Sequence, residues 1–89
     1  MVTPPKRLRK VDAVYPPLAK AAELEGTVIL EVEVGADGKV HKVTVKRSVR
    51  KVLADAARQA VQQWEYAPQL RNGVPEAGKV TESVQFKLP

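Results

Sequence analysis

The residues able to do chemistry are few and far apart. A single imidazole, His41, follows Asp37 by four positions, the hydroxyls Ser48 and Ser83 have no base at a recognisable spacing, and the 89-residue chain contains no Cys. Nucleophilic catalysis needs a nucleophile, a base and an orienting group in one constellation, and none can be assembled from these positions. The absence of Cys also excludes a disulfide framework, a thiol nucleophile, a redox pair and a thiolate zinc site. Asp37 next to Gly38 is turn chemistry, because both residues accept positive φ cheaply, and no EF-hand spacing follows it. No enzyme, catalytic residue, metal site or cofactor is expected.

Charge is the second chemical resource. Fifteen Lys and Arg against ten Asp and Glu leave a formal charge of +5, and the stretch from Lys39 to Lys51 holds six basic residues and no acid. Such a run fits a binding module for an anionic partner: nucleic acid, peptidoglycan or a lipid surface. Nucleic acid is disfavoured, because the four aromatics are not interleaved with the basic run as stacking would require.

The elements that must carry these residues follow from periodicity. Pro16 and Pro17 precede a segment of good helix formers, Leu18 to Glu25, with Gly26 placed as a left-handed C-cap. From Thr27 the period becomes two: Val28, Leu30, Val32 and Val34 share one face, Thr27, Ile29, Glu31 and Glu33 the other. The turn Gly35 to Gly38 leads to a second strand, Val40 to Val45, which would bring lysines opposite Glu31 and Glu33. The stripe Val49, Val52, Leu53, Ala56, Ala57, Ala60, Val61 and Trp64 predicts an amphipathic helix, with Trp64 in the core and Pro68 barring extension beyond Tyr66. A turn-rich loop with an Asn72-Gly73 signal follows, then a last strand with Val80, Val84, Phe86 and Leu88 on one face and Glu82 out of pattern.

The order α-β-β-α-β predicts an α+β, two-layer sandwich: a three-stranded antiparallel sheet of order 2-1-3 with two helices on one face. Residues 1–10, with Pro4, Pro5 and four basic residues, read as the remnant of a linker; 11–89 read as the domain. No apolar run approaches the roughly 20 residues a membrane helix needs. The order 2-1-3 leaves the last strand at an edge, open to another strand or to a second copy of the chain in a homodimer.

Five marks in order then coincide with one family: Tyr15-Pro16, Gly26-Thr27-Val28, Asp37-Gly38-Lys39-Val40, Trp64-Glu65-Tyr66-Ala67-Pro68 and the terminal Val84-Gln85-Phe86-Lys87-Leu88. From Val11 onward the chain resembles the C-terminal domain of TonB proteins. The resemblance implies a periplasmic domain of an inner-membrane-anchored energy transducer, linked through a Pro-rich spacer to a proton-driven motor complex. It further implies capture of the Ton box of outer-membrane transporters as a strand added beside Val80, Thr81, Glu82, Ser83, Val84, Gln85, Phe86, Lys87 and Leu88. Ala13 and Val14 are implied as a second transporter contact, and Tyr15, Pro16, Gly26, Gly38, Trp64, Tyr66 and Pro68 as structural positions. The stretch from Gln69 to Lys79 looks long for the family and could cover or lengthen the binding edge.

Overall fold

The computed structural model describes residues 1–48 and 50–89. Val49, expected on the helix stripe, lies outside the described residues. The central element is β3 (Gly26–Val34), whose Val28, Leu30, Val32 and Val34 are buried as the alternation requires. It is flanked by β4 (Val40–Arg47) and β8 (Gly78–Phe86), both antiparallel, in the order β4-β3-β8. This is the expected order 2-1-3, in an α+β fold.

The core lies between β3 and α2 (Lys51–Val61), where Leu53, Ala54, Ala57, Ala60 and Val61 are buried. The alanines on that face remove the bulk that would hold the helix off the sheet. Ala19, from the short α1 (Pro17–Ala21), joins the same buried cluster, so both helices contribute to one core. Two details of the expected helix differ: Val52 is 37 % exposed, and the helix stops at Val61 rather than near Tyr66. Trp64 and Tyr66 are still buried, but they reach the core from beyond the helix end, with Tyr66 inside β5 (Glu65–Ala67).

Gly26 does not act as the left-handed cap. The positive φ after α1 belongs to Glu23, at 56°, and Gly26 is the first residue of β3. Tyr15 secures this turn instead, its hydroxyl donating to the Leu24 carbonyl and its ring meeting Phe86 edge to face, centroids 5.4 Å apart.

The first ten residues carry two short strands. β2 (Lys6–Arg9) pairs with β5, and β1 (Val2–Thr3) pairs with β6 (Gln69–Arg71), which in turn pairs with β7 (Val74–Glu76). The ribbon is turned by Asn72 and Gly73, both at positive φ, as the Asn-Gly signal predicts. It extends alongside the N-terminal strands, and neither β6 nor β7 pairs with β8. The expected loop therefore adds no strand to the β8 edge and touches it only at its start, where Gln69 packs against Gly78.

Candidate binding groove beside the last strand

β8 bonds to β3 along its whole length, from Gly26 opposite Phe86 to Val34 opposite Gly78. Among the described residues it has no other strand neighbour. In an antiparallel strand alternate residues direct their N–H and C=O to one side, so half of the backbone groups of β8 face outward along this edge. Thr81, Ser83 and Gln85 are exposed on the outer face, and Val80, Glu82 and Val84 are half-buried on the inner one.

A groove of about 550 Å³ lies beside the C-terminal half of this strand. Residues 83–87 form one wall, Lys10, Asp12, Ala13 and Tyr15 the other, and Trp64 contributes between them. The wall opposite the strand is fastened by the Trp64 indole N–H, which donates to the Val11 carbonyl at 2.8 Å. Pro16 and Pro17 set the extended approach of this segment into α1: Pro16 lies at φ −59°, ψ 131°, and its carbonyl accepts the first helical bond from Lys20.

Glu82, out of pattern in the sequence, is explained by what it meets. The Tyr66 hydroxyl donates to its carboxylate at 2.7 Å, and Arg7 lies 3.6 Å from the same oxygen. Burial, and then the Glu82 carboxylate, hold the Tyr66 phenol above its ordinary value. The acid thus ties the inner face of β8 to β5 and to the N-terminal strand.

The hairpin end has a separate organisation. The Asp37 carboxylate accepts the Lys39 backbone N–H at 3.0 Å and meets His41 Nε2 at 3.1 Å; the backbone bond first, then His41, hold its carboxyl below the usual range. Gly38, at φ 81°, accepts the Tyr66 N–H at 2.9 Å, and a Cβ there would lie 2.3 Å from the Tyr66 carbonyl oxygen. Pro68 borders the same contact, its Cδ 3.7 Å from that Cβ position. Among the described residues no group of three or more His, Asp and Glu could hold a metal.

The expected partner-binding residues divide accordingly. Ser83, Val84, Gln85, Phe86, Lys87 and Ala13 line the groove; Val80, Thr81 and Glu82 lie further along β8; Lys87 and Leu88 fall beyond the strand end. Val14 turns away from the groove and is 78 % exposed. Lys10 and Asp12 are groove residues that no pattern singled out, because the segment carrying them has neither a strand period nor a helical one, and Tyr15, expected only as a structural position, lines the groove as well.

The basic run is partly compensated. Lys46 and Lys79 both approach Glu31, at 3.7 and 3.8 Å, and Glu33 stands opposite Lys42. No helix among the described residues is long and apolar enough to cross a membrane.

Comparison with known proteins places this geometry. Residues 11–88 match the family model described as Gram-negative bacterial TonB protein C-terminal. The chain is 41 % identical over 75 residues to Protein TonB of Xanthomonas campestris pv. campestris, covering 83 % of this chain and 34 % of that protein. It is 31 % identical over 80 residues to Protein TonB of Vibrio cholerae, covering 89 % of this chain and 33 % of that one. The chain thus spans about a third of the length of the curated relatives it matches. Among solved structures it is similar to the solution NMR structure of the Pseudomonas aeruginosa TonB CTD, with a TM-score of 0.78 and 30 % identity over 97 % of this chain and 88 % of that one.

Proposed function

The chain belongs to the family of TonB C-terminal domains, and from that premise we propose that it is the partner-capturing domain of a TonB-like energy transducer. It takes the Ton box of an outer-membrane transporter as an added strand along β8. The parent protein is anchored in the inner membrane, works with the proton-driven motor complex there and presents this domain in the periplasm.

The observation that carries the reading is the open outer edge of β8 with a groove running beside it. Strand addition draws affinity from backbone hydrogen bonds, which any extended segment offers, and selectivity from the side chains on either flank. Here the flanks are the exposed Thr81, Ser83 and Gln85 on one side and the Lys10 to Tyr15 wall on the other. A domain reading its partners in this way serves transporters that share only a short extended motif.

The opposite edge of the sheet is poorly suited to the task. β4 carries Lys42, Lys46 and Arg47 and departs from regular pairing twice, between Ile29 and Leu30 and between Glu33 and Val34. Lysines and bulges are the features that keep an edge strand from pairing further.

The test is an NMR titration of the labelled domain with a Ton-box-like peptide and a scrambled control, at low and moderate salt. Backbone shifts concentrated on residues 78–87 that survive salt are expected, because bonds between backbone groups are little screened. Shifts confined to residues 39–51 and lost in salt would overturn the reading in favour of an anionic partner.

A further inference from the structure

We infer that Lys6 to Lys10 form a detachable strap, latched by Arg7 onto Trp64 and Glu82, whose docking completes the wall of the groove beside β8. The ligand in question rests on the proposed function; the strap itself does not.

Besides its latch the strap is held only by short ladders: at its N-terminal end β1 pairs Val2 with Arg71 and Thr3 with Leu70, and the Met1 ammonium donates to Asn72 at 2.6 Å. Its ladder to β5 has three pairs, Lys6 with Ala67, Arg7 with Tyr66 and Arg9 with Glu65, and it is interrupted at Leu8. All four residues of β2 are exposed, Leu8 at 65 %, so burial of apolar surface contributes almost nothing to holding it down. Short ladders with solvent-exposed hydrogen bonds lie at the low-stability end of a native structure.

Arg7 is the exception. Its guanidinium sits 5.1 Å from the Trp64 ring centroid and 3.6 Å from the Glu82 carboxylate, so one side chain grips both the base of the groove and the strand that forms its far wall. A planar cation can stack on an aromatic face and pair with a carboxylate together, and Lys would not reproduce that geometry. Lys10 follows, 5.9 Å from the same ring, and is itself a wall residue. The next residue, Val11, is fixed by the Trp64 hydrogen bond and packs against the core. The hinge at the groove therefore lies between Lys10 and Val11, and the far end of the strap stays tethered through β1. Undocking would carry Lys10 away from the groove and leave Asp12, Ala13 and Tyr15 as its wall.

Docking of the strap and occupation of the groove are then linked, and linkage is reciprocal. A strand seated against Lys10 favours the docked strap, and a docked strap presents a preformed wall that the incoming segment need not order.

The experiment is amide hydrogen exchange on the 89-residue chain, wild type beside Arg7→Gln and Glu82→Gln. Glu82→Gln keeps an acceptor for Tyr66 and removes only the charge that Arg7 uses. Exchange of the residue 6–9 amides is expected to rise about tenfold in Arg7→Gln and less in Glu82→Gln, with β3 amides unchanged as the check that the fold is intact. Unchanged strap exchange in Arg7→Gln would overturn the latch. Adding a saturating Ton-box-like peptide to the wild type should slow strap exchange, and Arg7→Gln should weaken peptide binding several-fold. A strap that opens in the variant with peptide affinity unaltered would overturn its role as a groove wall. A wild type that binds no peptide would instead defeat the proposed function and leave the latch to be judged by exchange alone.

Discussion

The indole N–H of Trp64 donates to the backbone carbonyl of Val11 over 2.8 Å, joining positions 53 residues apart. Trp64 is buried beside the groove, so this bond fixes the segment facing β8 to the core. Trp64→Phe removes the donor, strands a partly buried carbonyl and leaves a void, at an expected cost of about 2–4 kcal/mol in urea unfolding followed by circular dichroism. A cost below about 1 kcal/mol would mean that the segment is held by other contacts.

Tyr66 makes stability sensitive to alkali. Its folded pKa lies above the ordinary value of 10, from burial first and the Glu82 carboxylate second, so its contribution is complete below pH 10. As pH climbs past that value the unfolded chain releases its proton first and stability falls. Tyr66→Phe should flatten the alkaline limb of a Tm-against-pH curve while costing about 1–2 kcal/mol at neutral pH, where the bond to Glu82 is lost. An alkaline limb of unchanged slope would assign that loss to other groups.

Asp37 acts in the opposite range. The Lys39 N–H, followed by His41, holds its carboxyl below the ordinary value of 3.8, so its contribution to the turn is full above that pH and is lost as the pH falls through the lower folded value. The Asp37 carboxyl carbon, followed by NMR, should titrate below 3.8 in the wild type. In His41→Ala its midpoint should move up towards that value without reaching it, since the backbone bond remains. A midpoint indifferent to the substitution would show that His41 does not act on it.

Two glycines at positive φ should respond unequally to alanine. Gly38, at φ 81°, would place a Cβ 2.3 Å from the Tyr66 carbonyl oxygen, whereas Gly73, at φ 83°, has open space there. Gly73→Ala should therefore cost only the left-handed backbone penalty of about 1–2 kcal/mol. Gly38→Ala adds a backbone clash and the loss of the bond from the Tyr66 N–H, and should exceed it by at least about 2 kcal/mol in the same urea assay. Equal losses would show that the contact between the hairpin turn and β5 relaxes freely.

Much of this architecture is written into local patterns. The alternation from Val28 to Val34, the alanine-lined face of α2 and the Asp37-Gly38 turn each specify their element through a period or a backbone preference that burial then uses. The order of the central sheet followed from those elements and their connections. The pairing of Lys6 to Arg9 was not legible, because all four residues are exposed and show no apolar alternation, and the strand character comes from the pairing with β5 across the ladder. Glu82 was visible only as an interruption, since its partners lie on β5 and at the N-terminus. Gly26 misled because a glycine after a helix suggests a cap, whereas the chain turned earlier, at Glu23. Of the facing side of the groove, only Ala13 and Tyr15 were named in the sequence, through the resemblance: that segment has no period of its own and takes its position from a tryptophan far along the chain.

The seam between β3 and β8 runs through nine residues on each strand without an irregularity, while that between β3 and β4 is broken twice. A tensile load entering at β8 is thus shared along the most continuous joint in the molecule. If the proposed strand addition holds, a guest engaging fewer residues than its host would be held by fewer bonds and would let go before β8 leaves its own sheet. The domain would yield at the replaceable joint, survive each detachment and be ready for another cycle.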